Sequence, residues 1–384
     1  MRDIRMRDIN RIKGCLVGGA VGDALGYAVE FSRLSEIIKK YGEKGITRYE
    51  LSHGLARISD DTQMALFTAT ALLFGETRGQ MRGIGAGPVG YFDKAYLDWY
   101  DTQTAKFPLQ DKRFHTSWLV NFKEFFSLRA PGGTCLSALE AGGHGTVEEP
   151  INHSKGCGGV MRVAPIGAYL AGKDGWEQEE ADMAGAEAAA VTHAHELGYI
   201  PSAALVHIVY QLASAEHPDV YKAVLSSMEA MPKLFPNSVH MQEFLGLMEQ
   251  AVDLSQQDGN DRDAIRMLGE GWVAEETLAI AVYCALKHKD SFEDAIIASV
   301  NHDGDSDSTG AVTGNILGTA LGYDSIPDYY LQNLELRDII EELAEDLYND
   351  CRMSEYRDIE DPVWESKYIQ IDYDAAMRAT VRKK

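Results

Sequence analysis

Cysteine is scarce in this 384-residue sequence. The five cysteines are odd in number, widely spaced and free of any Cys-x-x-Cys pair: Cys15, Cys135, Cys157, Cys284 and Cys351. A disulfide framework needs paired cysteines, and a zinc ribbon needs two closely spaced pairs, so the sequence favours neither. We therefore expect a protein of the reducing cytoplasm.

Basic residues are also in short supply. Lysine and arginine total 36 against 59 acidic residues, which gives a formal net charge of -23. Such a charge repels phosphate backbones and anionic lipid, so nucleic-acid and membrane-surface partners are not expected. An anionic ligand would need local positive groups, such as metal ions, helix N-termini or a nearby arginine.

Long apolar runs and strand-like patterns are missing as well. The first apolar stretch is interrupted by Asp23, so neither a signal peptide nor a membrane span is predicted. Apolar residues recur mainly at helical spacing, whereas alternating Val, Ile and Thr are rare. This pattern predicts an all-α protein with helices at 11–31, 60–75, 89–101, 115–128, 133–142, 160–172, 177–192, 199–215, 218–231, 239–254, 275–288, 291–301, 307–322 and 335–348.

The connections between these helices carry no strong change in composition. Gly-rich, polar segments near 76–88, 143–159 and 255–271 are too short or too similar to their surroundings to be domain linkers. We therefore expect residues 1–384 to form a single domain.

Two predicted helices have glycine at every fourth position. The first has Gly14, Gly18, Gly22 and Gly26, and the late one has Gly310, Gly314, Gly318 and Gly322. Each interior glycine costs a helix about 1 kcal/mol relative to alanine, so two such rows call for a compensating contact. Spacing of four places each row on one helix face, where another backbone can approach closely. The two helices are predicted to pack together at the centre of the fold, and chance accumulation of glycine is the alternative.

An acidic cluster stands immediately before a helix in each half of the chain. The first is Ser59-Asp60-Asp61, and the second contains Asp305, Asp307 and Ser308. One carboxylate at a helix start is explained by capping and the helix dipole, but several neighbouring carboxylates repel one another unless a cation lies between them. Oxygen-only ligand sets suit Mg²⁺ or Mn²⁺. The twelve-residue loop of an EF-hand is absent, so the clusters predict a different kind of metal site.

A glycine-rich segment at 152–162 lies between the two clusters. Gly156, Gly158 and Gly159 precede an apolar helix, so their backbone N–H groups could bind an anion. The segment matches neither phosphate-binding glycine motif, and a plain flexible loop is the alternative. Arg162, at its end, could contribute positive potential.

Two further residues have open interpretations. His193 and His195 could suggest zinc, but no third ligand has suitable spacing; His193 either binds a substrate hydroxyl or is a core residue. Glu30 is an acid in an apolar stretch. It either handles protons near a metal, with its pKa raised by burial, or simply reaches solvent.

Taken together, five segments resemble the motifs of the ADP-ribosylglycohydrolase family, in the same order. They are GCLVGGAVGDALGYAVEF, SDDTQM, SKGCGGVMRVAPIG, THAHELGY and NHDGDSDSTGAVTGN. The resemblance runs from about residue 11 to 325, and the C-terminal extension 326–384 matches no motif. It implies a compact all-α orthogonal bundle with a binuclear Mg²⁺ or Mn²⁺ centre, which hydrolyses the bond between ADP-ribose and a modified acceptor.

The resemblance also implies roles for individual residues. The metal ligands would be Ser59, Asp60, Asp61, Asp305, Asp307 and Ser308. Substrate-binding residues would be Ser154, Lys155, Gly156, Cys157, Gly158, Gly159, Met161, Arg162 and His193, with the loop around the diphosphate and His193 near the adenosine. Cys157 replaces an asparagine of some members. The catalytic residues would be Glu30, Asp60 and Asp61, and Asp98 or Asp101 is an alternative general base.

Other functions remain open on the sequence. The chain could be a catalytically silent structural or ADP-ribose-binding member, although all six ligand positions are retained. It could also be a metal-dependent phosphoesterase acting on nucleotides. The acceptor, which could be an arginine or serine side chain or a small ADP-ribosylated molecule, and the oligomeric state are not determined by the sequence.

Overall fold

The computed structural model describes residues 7–83, 88–110, 113–356 and 358–382, and over these ranges the chain is helical with isolated bridges in place of strands. The prediction of an all-α fold is therefore confirmed. The helices are α1 (Ile9–Gly26), α2 (Leu34–Tyr41), α3 (Asp60–Arg82), α4 (Phe92–Thr104), α5 (Gly133–Glu140), α6 (Ala164–Leu170), α7 (Gln178–Ala190), α8 (Glu196–Ser214), α9 (Val220–Leu234), α10 (Met241–Ser255), α11 (Asp261–Leu268), α12 (Ala274–Lys287), α13 (Phe292–Val300), α14 (Ser306–Leu321), α15 (Asp328–Leu331), α16 (Arg337–Asn349), α17 (Pro362–Glu365) and α18 (Ala375–Val381).

Helices α1 and α14 form the centre of the fold, as the glycine rows predict. A Cβ atom added at Gly22 would lie less than 3.0 Å from the Gly310 carbonyl oxygen, and one at Gly314 would approach the Gly18 carbonyl equally closely. Real Cβ atoms do not make such contacts, so only glycine allows the two backbones to come this near. Asn315 fastens the pair by donating from Nδ2 to the Cys15 carbonyl oxygen at 2.8 Å.

The remaining helices pack around this pair. Helix α8 contacts α6, α7, α9, α12 and α14, and α12 also contacts α10, α13 and α14. Both α8 and α12 are buried along most of their length. In the described part of the chain, no helix is both long and apolar enough to cross a membrane.

The C-terminal segment packs against the N-terminal half of the chain. Trp364 is buried, and its Nε1 donates to Thr77 Oγ1 on α3 at 2.9 Å. The ring of Tyr373 meets Trp118 edge-on, with the centroids 5.3 Å apart. The extension therefore covers apolar surface that the earlier part of the chain would otherwise expose.

Several helix predictions need correction. Residues 115–128 form two 3₁₀ turns, Trp118–Asn121 and Lys123–Phe125, and 157–162 is also a 3₁₀ turn that precedes α6. The carboxylate of Asp98 accepts from the backbone N–H of Thr116 and of Ser117, at 2.7 and 3.0 Å, which holds this part of the chain out of a helix. The sequence pattern did not predict five of the helices: α2, α11, α15, α17 and α18. The first helix ends at Gly26, so Glu30 lies in the turn after it.

Candidate metal centre and active site

The two acidic helix starts meet at one cavity of about 350 Å³. Its wall combines carboxylates from three parts of the chain with the glycine-rich loop and a histidine. The predicted site residues that line it are Glu30, Asp60, Asp61, Gly156, Cys157, Gly158, Met161, His193, Asp305, Asp307 and Ser308. Residues that are far apart in sequence are thus brought together, because α1 and α14 hold the two halves of the chain side by side.

The carboxylates in this cavity are buried and close together. One oxygen each of Glu30, Asp305 and Asp307 lies within 4.8 Å of the other two. Burial, and next the charge of Asp307, raises the pKa of Asp60, Asp61 and Asp305 well above the usual range. The same two causes raise the pKa of Glu30 to about 10. The protein alone therefore cannot keep all of these groups ionised.

Two buried oxygens in this cluster have no hydrogen-bond donor: Asp61 Oδ2 and Glu30 Oε2. An unpaired buried oxygen costs free energy that a bound cation would recover. The adjoining hydroxyls of Ser59 and Ser308 complete an oxygen-rich set, which is the donor chemistry of a hard divalent ion. The residues present therefore fit a metal centre of the Mg²⁺ or Mn²⁺ type.

Asp23 holds the start of α3 in place, a role that the sequence analysis missed. It is fully buried on α1, and its carboxylate accepts from the backbone N–H of Ser59 at 3.0 Å and of Thr62 at 3.1 Å. It also accepts from the Thr62 hydroxyl. Burial, followed by the nearby Asp307, raises its pKa to about 7. Asp23 thus links the glycine-rich helix directly to Asp60 and Asp61.

The glycine-rich loop passes over the acidic cluster and is tied to the start of α12. The Cys157 N–H donates to the Trp272 carbonyl oxygen at 3.2 Å, and the Ala274 N–H donates to the Lys155 carbonyl oxygen at 2.8 Å. Cys157 Sγ donates to Asp305 Oδ2 at 2.8 Å. At Gly158, a Cβ atom would lie 2.7 Å from the His193 ring. The loop therefore needs glycine to fit between the histidine and the metal centre.

His193 presents Nε2 to the cavity. Arg162 donates to Thr192 Oγ1 at 2.7 Å, and the same threonine hydroxyl shares a hydrogen bond of 2.8 Å with His193 Nδ1. Burial, with a smaller effect of Arg162, lowers the pKa of His193 to about 3, so the ring is neutral. In the tautomer in which Thr192 donates to Nδ1, the ring proton lies on Nε2, beside Gly156 and Gly158.

Arg162 is the clearest departure from the predicted substrate contacts. It is fully buried, lies 4.1 Å from the ring centroid of Tyr96 and donates to the Ala188 carbonyl oxygen at 2.9 Å. Because a guanidinium in this position cannot reach the cavity, its role is to fix Thr192 and, through it, His193. The prediction that it supplies positive potential to a bound diphosphate is not supported by its position.

Three other predicted contacts lie outside the cavity wall: Ser154, Lys155 and Gly159. Ser154 Oγ accepts from the Gly156 N–H at 3.4 Å, so it shapes the loop from behind. Lys155 Nζ is paired with Glu275. Ser59 is fully buried and is not part of the wall either, but its Oγ lies among the carboxylates: it accepts from the Asp61 N–H at 3.1 Å and is hydrogen-bonded to Asp307. Ser154 thus shapes the loop, whereas Ser59 belongs to the acidic cluster.

The two alternative general bases are held elsewhere. Asp98 is fully buried and pairs with Arg113 at 2.8 Å and with His115 at 2.9 Å, and Asp101 also pairs with Arg113. Neither carboxylate lines the cavity. The structure therefore brings Glu30, and not Asp98 or Asp101, to the metal centre.

The sequence analysis also missed an aromatic pair and a loop at the cavity. Phe31 and Trp272 border it, with their rings stacked at a centroid distance of 6.1 Å. Residues 130–135 form another part of the wall, and the Gly132 N–H donates to Asp60 Oδ2 at 3.3 Å. Two adjacent glycines, Gly132 and Gly133, were the available signal in that loop; the aromatic pair had none, because its members are 241 residues apart.

Comparison with known proteins agrees with this geometry. The family model for ADP-ribosylglycohydrolase matches residues 5–357. Mouse ADP-ribosylhydrolase ARH3 is 26% identical over 375 residues, with 89% of this chain and 92% of the mouse protein covered. ADP-ribosyl-[dinitrogen reductase] glycohydrolase of Rhodospirillum rubrum is 24% identical over 335 residues, with 85% and 91% covered. A solved structure described as an ADP-ribosylglycohydrolase-related protein complex shares the fold, with a TM-score of 0.55 at 23% identity over 89% of this chain and 98% of that one.

Proposed function

The chain belongs to the ADP-ribosylglycohydrolase family, and on this premise we propose that it is a metal-dependent hydrolase that removes ADP-ribose from a modified acceptor. The acceptor is a protein side chain, such as arginine or serine, or a small molecule. The bond cleaved is the one at the anomeric carbon of the distal ribose. The observation that carries the proposal is the buried acidic cavity of about 350 Å³, which is lined both by residues with unpaired carboxylate oxygens and by glycines of the glycine-rich loop.

The acidic residues would hold the metal. We infer two Mg²⁺ or Mn²⁺ ions, held by Ser59, Asp60, Asp61, Asp305, Asp307 and Ser308. Such ions, when bound, supply Lewis acidity and positive charge next to the ribose. With those carboxylates neutralised, the cavity becomes able to accept an anionic substrate despite the net charge of the chain.

The glycine-rich loop and His193 would bind the ADP portion. The backbone N–H of Gly158 can donate to a diphosphate oxygen, as glycine-rich loops do in other phosphate sites. The Gly156 N–H can do so by giving up its long bond of 3.4 Å to Ser154 Oγ. The neutral His193 donates from Nε2 to an oxygen of the adenosine portion. Cys157 has no donor left for the diphosphate, because its side chain donates to Asp305 and its backbone N–H donates to the Trp272 carbonyl oxygen.

Glu30 would accept the proton of the attacking water. Attack of water on the anomeric carbon releases a proton as the oxocarbenium-like transition state collapses, and a nearby carboxylate must accept it. Glu30 Oε2 is buried, unpaired and close to Asp305 and Asp307. With the metal site filled, Glu30 becomes able to ionise and act as the base.

Hydrolysis of defined substrates tests this proposal. The purified protein is incubated with ADP-ribosylated arginine and serine peptides, with Mg²⁺, with Mn²⁺ or with EDTA, and the products are identified by mass spectrometry. We expect intact ADP-ribose and unmodified peptide, formed only with metal. Release of AMP would indicate a phosphoesterase, and tight ADP-ribose binding without turnover would indicate a catalytically silent member.

A further inference from the structure

A second and larger cavity adjoins the metal cavity. It has a volume of about 610 Å³ and shares three wall residues with the metal cavity: Glu30, Phe31 and Trp272. The rest of its wall comes from the start of α2, from α11 and from the segment before α14. Its wall contains no residue of the glycine-rich loop or of the 130–135 loop, and it does not contain His193.

Under the proposed function, the two adjoining cavities predict how the substrate is oriented. The ADP portion would occupy the part of the metal cavity lined by Gly156, Gly158 and His193. The acceptor is bonded to the other side of the distal ribose, so it must leave the metal centre along a different path. The edge at Glu30 is shared with the second cavity, which offers that path.

The border between the cavities is aromatic and partly exposed. Phe31 is 74% exposed and Trp272 is 39% exposed, and their rings are stacked with an interplanar angle of 22°. Neighbouring exposed apolar side chains at a groove mark candidate interaction sites, and aromatic residues are common among the residues that dominate such contacts. The pair can pack against the acceptor chain where it passes from one cavity to the other.

Three arginines face the second cavity: Arg33, Arg262 and Arg266. Arg33 is exposed and forms no ion pair within the described residues. The Arg262 guanidinium donates to the backbone carbonyl oxygen of Glu43, which carries no charge. Arg266 pairs at 3.2 Å with Asp263, and both side chains are largely exposed, so this pair is weak. In a chain in which acids outnumber bases by 59 to 36, this grouping of arginines is unusual.

Besides Glu30, two other carboxylate residues line the second cavity. Asp303 is already engaged, because its Oδ1 accepts from the Leu34 N–H at 2.8 Å, and Glu270 is exposed at the rim. The wall therefore holds three arginines and three carboxylates and is balanced in charge, whereas the chain as a whole is strongly negative. Arg33 and Arg262 form no ion pair within the described residues, so their guanidinium groups are the ones that can pair with a carboxylate of a ligand.

We propose that this second cavity binds the acceptor part of the substrate, and that the preferred acceptor is a peptide with carboxylates next to the modified residue. The inference rests on the proposed hydrolase function. It assigns Arg33 and Arg262 as specificity-determining residues, separate from the metal ligands and from the base.

The test compares three kinds of substrate that differ only beyond the ribose. Two are ADP-ribosylated peptides of equal length, with either glutamate or glutamine on both sides of the modified residue, and the third is the methyl glycoside of ADP-ribose. Each peptide is prepared in a serine-linked and an arginine-linked form. The variants are Arg33→Gln, Arg262→Gln and the double variant, and Arg352→Gln is a control that removes an exposed arginine outside both cavities.

For the wild type we expect a KM at least fivefold lower for the glutamate peptide than for the glutamine peptide. The double variant should remove this difference by raising the KM for the glutamate peptide, with kcat and the rate on the methyl glycoside within twofold of wild type. Arg352→Gln should keep the wild-type preference. Equal KM values for the two peptides in the wild type, or a preference that survives in the double variant, would overturn the acceptor assignment.

Failure of the two proposals can be told apart. If none of the substrates is hydrolysed with Mg²⁺ or Mn²⁺, the hydrolase proposal is wrong. If the methyl glycoside is hydrolysed while the arginine variants change nothing, only the acceptor assignment is wrong. Binding of the unmodified glutamate peptide, measured by fluorescence anisotropy, gives a readout without turnover: the wild type should bind it more tightly than the double variant, and equal affinities would contradict the inference.

Discussion

At the scale of single residues, the acidic cavity is a set of mutually repelling carboxylates that the fold forces together. Asp61 and Asp307 are both buried, and their charges raise each other's cost of ionisation. A cation relieves this repulsion, and so does the loss of one carboxylate. Function and stability at these positions therefore oppose each other.

The first prediction concerns Asp61 and Asp307. Asp61→Ala and Asp307→Ala should each abolish turnover and lower metal occupancy, while the metal-free variants unfold at a temperature no lower than that of the metal-free wild type. Activity assays, isothermal titration with Mn²⁺ and thermal unfolding in EDTA measure the three quantities. Asp290→Ala, at an exposed site, is the control. Full activity in both cluster variants would contradict the shared metal centre.

Asp23 gives a second prediction, because it positions ligands without being one. Asp23→Asn replaces one acceptor oxygen with a donor that faces the N–H groups of Ser59 and Thr62. The start of α3 should shift, and Mn²⁺ affinity should fall by about 10- to 100-fold, which is the usual effect of removing a residue that orients metal ligands. Titration calorimetry measures this affinity, and an unchanged value would show that Asp23 has no positioning role.

The third prediction is the pH dependence of the metal-free protein. The folded-state pKa is about 7 for Asp23 and about 10 for Glu30, against ordinary values of 3.8 and 4.5. Between the ordinary and the raised values the folded state binds more protons than the unfolded state. The free energy of unfolding should therefore fall as pH rises from 5 to 8.

Urea unfolding in EDTA at several pH values measures this slope. Glu30→Gln should make the slope shallower, since glutamine does not titrate while Asp23 still contributes. Added Mg²⁺ should reduce the loss at pH 8, because the cation takes over the role of the bound protons. A stability that increases from pH 5 to 8 without metal would contradict the prediction.

At the scale of elements, the close pairing of α1 and α14 brings the two acidic helix starts together. The backbones touch through glycines, so any side chain there must push them apart. The prediction that such substitutions destabilise is independent of the substrate. It tests whether the glycine rows determine the position of the metal ligands.

Gly22→Ala and Gly314→Ala should each lower the free energy of unfolding by about 1–3 kcal/mol, the typical cost of overpacking. Both variants should also bind Mn²⁺ more weakly. Gly246→Ala is the matched control. Gly246 lies within α10, and an added Cβ would meet open space. This control should gain about 0.5–1 kcal/mol from the better helix propensity of alanine. Chemical denaturation measures all three, and a gain for Gly22→Ala would contradict the close pairing.

Helices α7, α8 and α9 share a different kind of contact. His207 bonds to Asp182 at 2.7 Å through Nδ1 and to Ser226 at 2.9 Å through Nε2. The order carboxylate, imidazole and hydroxyl is that of a serine hydrolase, but Ser226 lies within α9, where the backbone N–H groups are used by the helix. No oxyanion site follows from this placement, so the contact is best understood as a polar link between three helices.

At the scale of the whole molecule, the C-terminal segment is joined to the main body by buried aromatic contacts. The expectation that residues 1–384 form one domain stays a prediction, and it has a direct test. Trp364→Ala should destabilise the entire protein by about 3–5 kcal/mol, in a single unfolding transition. Tyr356→Ala, at a residue that is 81% exposed, is the control. Two separate transitions in calorimetry, with the larger one unaffected by Trp364→Ala, would show that the segment folds independently.

The sequence by itself determined the helical class, the two glycine rows, the two acidic helix starts and Glu30 as a candidate. These features are local: a periodicity, a spacing of four or a capping pattern can be recognised without knowing what lies opposite. It could not show that Arg162 turns inward to Thr192 or that Asp98 is tied to Arg113 and His115. Each of those outcomes depends on which side chain another part of the chain places within hydrogen-bond reach.

Tertiary structure alone decided how the site is completed. Asp23 was visible only as an interruption of an apolar stretch until the start of α3 was placed against it. Phe31 and Trp272 border both cavities although 241 residues separate them in the sequence. The physical reason is that burial and pairing energies depend on neighbours in space, and the close packing of α1 on α14 sets which distant residues become neighbours at this site.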